Sequence, residues 1–172
     1  ANTMKDLMNA NRSLLSQAVE LLEAITDASY AAPCEACFDS TLGGHMRHIL
    51  EHYGNFLHGL DEGLVNYDRR DRASPVETCR ETALDRARKL ITALADVSSE
   101  SSADPLMILL DDGGAPCRSR SNVQRELQFL LSHTVHHFAL MRTLLWIQGQ
   151  RWFPDNFGIA PSTLRFRGVG TR

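Results

Sequence analysis

No apolar run in this chain approaches the ~20 residues that a helix needs to cross a bilayer. Leu106 to Leu110 is about the longest. The opening stretch, "ANTMKDLMNANRS", lacks the apolar core of a signal peptide. A block of like positive charge is missing as well. Arg69, Arg70 and Arg72 alternate with Asp68 and Asp71 and read as a solvated loop, and the net charge is −3. That balance gives no electrostatic footprint for a nucleic-acid partner. The expectation is a cytoplasmic protein with a small-molecule substrate, no membrane and no nucleic acid.

Cysteine is sparse. Cys34 and Cys37 form a C-x-x-C, while Cys79 and Cys117 stand alone. No second C-x-x-C completes a zinc site and no strand-helix pattern suggests a redox fold, so free thiols are expected. Internal repeats and low-complexity segments are absent too. What remains is an ordinary globular composition, 43% hydrophobic and 23% charged over 172 residues. That length can bury a core, and residues 1–172 read as one domain.

The apolar periodicity is helical in four places. Over about residues 5–28, Leu7, Leu14, Ala18, Leu21 and Ile25 share one face. A second helix starts near 41–44 and ends about Glu62, with Gly63 as its stop and Leu42, Met46, Ile49, Tyr53, Phe56 and Leu60 as its stripe. A third starts at a Ser74 cap with Pro75 and Glu77 behind it, and buries Ala83, Leu84, Ala87, Leu90, Ile91 and Leu94. "SSESSADP" interrupts the pattern, and "LMILLDDGGAPCRSRS" reads as a β-hairpin turning at Gly113-Gly114. The fourth helix covers about residues 122–149, introduced by Ser121. An irregular tail follows, whose Trp152, Phe153 and Phe157 are expected to pack back. Four amphipathic helices imply an all-α, up-down four-helix bundle.

Six of the seven histidines fall in two clusters, "GGHMRHILEHY" and "LSHTVHHF". His133 and His137 lie one turn apart on an edge of the fourth helix, where two imidazoles can reach one ion. His136 points roughly the other way and reads as a surface or supporting group. A catalytic metal commonly takes three protein ligands and keeps one open position. In the second helix, His45 and His52 lie nearer the apolar stripe than His48, and periodicity alone ranks His52 above His48. Ordinary helix histidines without a metal remain the alternative at this point.

The segments "STLGGHMRHILEH" and "LSHTVHHFALM" resemble the DinB/YfiT-type metalloprotein superfamily over most of the chain. "NFGIAPSTLRF" also resembles the tails of an uncharacterised branch of it. The resemblance implies a four-helix bundle, a possible homodimer, and a divalent metal held by three histidines. The ligands it implies are His48, His133 and His137, with His52 as an alternate or supporting residue. It also implies a thiol-dependent S-transferase that uses a low-molecular-weight thiol. A metal-dependent hydrolase or a non-catalytic binding bundle are the alternatives.

Zinc or nickel suits such imidazole ligands best, with iron or copper as further options. Glu126, two turns before His133, and Glu51, three residues after His48, are candidate general bases. Either also reads as a surface carboxylate. Arg47 and Arg142 can meet an anionic substrate or simply be solvated.

Overall fold

The computed structural model of the protein describes residues 3–71, 73–97, 105–111 and 113–169. Arg72 and most of the Ser-rich interruption, residues 98–104, lie outside the described residues. Four long helices build the bundle: α1 (Met4–Ala24), α3 (Leu42–Glu62), α4 (Arg80–Ala95) and α5 (Val123–Ile147), with a short α2 (Asp27–Ala31) after the first. Helices α1 and α3 each pack against both α4 and α5, which places α1 and α3 on one diagonal.

Local chemistry sets the boundaries. The apolar spacing of the first helix continues through Ile25, but the helix ends at Ala24. Thr26 then accepts a hydrogen bond from the Ser29 amide at 3.1 Å and caps α2. The expected single helix over 5–28 is therefore two. Ser74 does act as a cap, accepting from the Val76 amide at 3.3 Å, but what it caps is a single 3₁₀ turn, Pro75–Glu77, and α4 begins only at Arg80. Asn122, rather than Ser121, caps α5 by accepting from the Arg125 amide at 2.9 Å. Gly63, at φ 70°, ends α3 as its position suggests.

The hairpin is present as β2 (Leu106–Leu110) and β3 (Cys117–Ser121), antiparallel, with Ile108 opposite Ser119. A third strand, β1 (Leu64–Asn66), pairs parallel to β2 and makes the small sheet mixed. The fold is thus mainly helical, with that sheet attached at the end of α3. The tail also holds a helix, α6 (Pro161–Val169). Phe157 is buried and stacks on Phe138 at 4.2 Å, and Phe153 packs beside it. Trp152 does not pack back; it is 47% exposed.

The predicted stripes form one core in which Leu42, Met46, Ile49, Tyr53 and Phe56 are wholly buried. Each such side chain contributes about 1.5–3 kcal/mol. Leu14, Ile91 and Leu131 sit at the stripe edges and are only half-buried. A polar network crosses this core. The Asn11 side chain donates to the Leu7 and Leu127 carbonyls at 2.9 and 3.0 Å and accepts from the Tyr53 hydroxyl at 2.7 Å. Thr134 in turn donates to Tyr53 at 3.2 Å. Together these bonds tie α1, α3 and α5 in one register.

Candidate metal centre

Helix α3 starts where Thr41 accepts from the Gly44 amide at 2.9 Å. At Gly43 a Cβ would fall 1.9 Å from the Glu77 carbonyl oxygen. The absent side chain lets the 3₁₀ turn close against this first helical turn, and His45 and His48 follow directly. Helix α5 packs across α3 and supplies His133 and His137.

The two helices bring His48, His133 and His137 together. One ring nitrogen from each lies within 4.8 Å of the others, a group able to hold a metal ion. Among the described residues it is the only such group of three, and none of the four cysteines, all free thiols, joins it. His48 Nε2 stands 3.1 Å from His133 Nε2. Two imidazole nitrogens this close are matched only when one carries a proton or an ion takes that proton's place.

Burial governs the electrostatics. It pushes His48 and His137 down to about 4 and His133 to about 3, and neighbouring imidazoles add to the effect. All three are neutral at pH 7, the state that donates a lone pair to a cation. His133 Nδ1 is buried without a hydrogen-bond partner. An unmatched polar atom in a cluster of neutral imidazoles fits a site completed by an ion. An open cavity of about 350 Å³, lined by His45, His48, His137, Arg47, Arg70 and Glu77, lies beside the cluster.

The family model of the DinB superfamily matches residues 10–141, a span that contains all three histidines. The chain belongs to the DinB superfamily. A crystal structure of a DinB-like protein from Bacillus subtilis, YjoA, superposes with a TM-score of 0.63 at 17% identity. The match covers 90% of this DinB-superfamily chain and 99% of that one, so the two share the fold. A Rhizopus delemar protein named FK506-binding protein 5 is 31% identical over 105 residues. That match takes in 59% of this chain but spans only 27% of the fungal protein.

The remaining candidates separate. His52, favoured by periodicity over His48, lies outside the group of three. It is buried, donates from Nδ1 to the His48 carbonyl at 2.9 Å, and stacks on both His133 and Tyr67. His45 contacts His137 instead, Nδ1 to Nδ1 at 3.0 Å. Its signals in the sequence were a place one turn before His48 and a position nearer the apolar stripe. His136 is exposed and meets His137 edge-on.

Glu126 is buried and accepts hydrogen bonds from the Tyr67 and Ser121 hydroxyls. It connects to the imidazoles through the Tyr67 ring and His52. Glu51 sits 3.7 Å from Arg47, and burial pushes its carboxyl up. Arg142 is held by the tail, donating to the Phe157 carbonyl at 3.1 Å. No helix of the described residues is long and apolar enough to cross a membrane.

Proposed function

We propose that this protein is a small metal-dependent enzyme that transfers a low-molecular-weight thiol to an electrophile. The observation that carries the reading is the convergence of three neutral imidazoles, His48, His133 and His137, next to an open cavity. A divalent ion held there supplies Lewis acidity that acidifies a thiol or a water at its open position. A set of three ligands, with His52 turned to the His48 carbonyl, supports an open site over a closed structural one. Glu51 is the proton acceptor in this reading, because its carboxyl is raised by burial and is free of hydroxyl donors. Glu126 instead holds Tyr67 against His52.

Elemental analysis of untagged protein beside the His133→Ala/His137→Ala double variant tests the site. Near-stoichiometric metal in the parent and little in the variant supports it; equal metal in both removes it. A screen for electrophile loss with and without added thiol then tests the chemistry. Turnover that needs no thiol would replace transfer with hydrolysis, which the raised Glu51 carboxyl also suits.

A further inference from the structure

Between α3 and α4 lies a second cavity of about 680 Å³, larger than the one of about 350 Å³ beside the imidazoles. Arg47 and Arg70 line both cavities, so the two are neighbours with shared walls. The cationic side chains in the larger one are not equally engaged. Lys89 pairs with Asp85 at 2.7 Å, and Arg47 pairs with Glu77. Arg70 and Arg86 form no ion pair with any described residue. Arg86 is placed deliberately close to α3: a Cβ at Gly54 would lie 2.6 Å from its Nη2. Two further wall atoms, Arg47 Nε and Glu51 Oε1, are buried with no hydrogen-bond partner and stop 3.7 Å apart.

We propose that this cavity binds the carboxylate of a small-molecule ligand on the guanidinium groups of Arg70 and Arg86. A guanidinium presents a planar fork that matches a carboxylate, and neither fork is engaged in an ion pair with a described residue. Glu51, Asp71 and Asp85 on the same walls offset much of the positive charge, and the small surplus left suits a singly charged carboxylate. Because Arg70 also lines the imidazole cavity, a ligand anchored here extends toward His48. The assignment deepens the thiol-transfer reading by making the co-substrate a thiol acid, and it rests on that reading only for the thiol end. Binding of the carboxylate itself requires no metal.

The test uses metal-free protein, stripped with phenanthroline and dialysed, titrated under reducing conditions with N-acetylcysteine and followed by amide NMR. N-acetylcysteine methyl ester and inorganic phosphate are titrated in parallel. The expected result is shifts centred on Gly54, with the acid bound at least about tenfold more tightly than its ester. Arg70→Gln and Arg86→Gln each weaken the acid by about tenfold, and Lys89→Gln does not. Arg86→Lys, which preserves charge but loses the fork, gives an intermediate affinity and reports on the site in a folded protein. Equal binding of acid and ester, or an unchanged Arg86→Gln variant, overturns the proposal. So does tighter binding of phosphate. The outcome is separate from that of the metal reading, since His133→Ala loses metal there but retains N-acetylcysteine binding here.

Discussion

His48 Nε2 on α3 and His133 Nε2 on α5 lie 3.1 Å apart, although 85 residues separate them in the chain. Neither helix can make this contact alone. The packing of α5 across α3 creates it, and with it an imidazole cluster that burial keeps uncharged.

Loss of one of these rings should therefore abolish stable metal binding. His48→Ala and His133→Ala are each expected to lower affinity by more than the about 10–100-fold that loss of a supporting partner costs. Competition against a fluorescent chelator measures this. Affinity within a few fold of the parent would remove that residue from the ligand set.

His45 should behave differently. Its Nδ1 meets His137 Nδ1 at 3.0 Å, so it orients a ring rather than joining the group of three. His45→Ala is expected to lower metal affinity by about tenfold, and exposed His136→Ala to leave it unchanged. The same competition assay ranks the two variants.

The depressed imidazoles make the metal-free protein acid-sensitive. Below about 6.5 the unfolded chain binds protons that the folded His48, His133 and His137 refuse until about 4, 3 and 4. The unfolded state gains protons first, so stability is complete above that window and falls as pH drops through it. Urea midpoints at pH 7 and pH 4.5 should show the loss, and the triple His→Gln variant should show a smaller one. Equal losses would show that these groups do not govern the acid limb.

Tyr53→Phe removes the hydroxyl that donates to Asn11 Oδ1 and accepts from Thr134. Both remaining groups are buried. The expected cost is about 1–3 kcal/mol in urea unfolding. A change below about 0.5 kcal/mol would mean that the network adds little to the register of α1, α3 and α5.

At Gly43, any side chain meets the Glu77 carbonyl, a backbone atom that cannot swing aside. Gly43→Ala is expected to destabilise by about 1–3 kcal/mol and to weaken metal binding, because the first turn of α3 carries His45 and His48. Unchanged urea and chelator titrations would place the turn further from the helix than this packing requires.

Much of the bundle was legible because apolar spacing on a helix is a local property. The stripe from Leu42 to Leu60 is buried as its period indicates. Features that depend on a few residues were not legible. Leu64–Asn66 is too short to show strand alternation and becomes a strand only beside β2. The break after Ala24 was hidden because Ile25 continues the stripe while Thr26 starts a new cap. Ranking His52 above His48 failed for a related reason. A helical wheel measures distance from the core centre, whereas this cluster forms at an edge where two helices converge.

By itself the sequence determined the four amphipathic helices, the hairpin, and the concentration of histidines on two of them, because periodicity and short spacings act within a single element. Only the tertiary structure decided which imidazoles meet. It turned His52 toward a carbonyl, set His45 against His137, and left Arg70 and Arg86 without an ion-pair partner among the described residues. Those outcomes depend on how α3, α4 and α5 pack against one another, and contacts between residues some 85 positions apart leave no period in the chain.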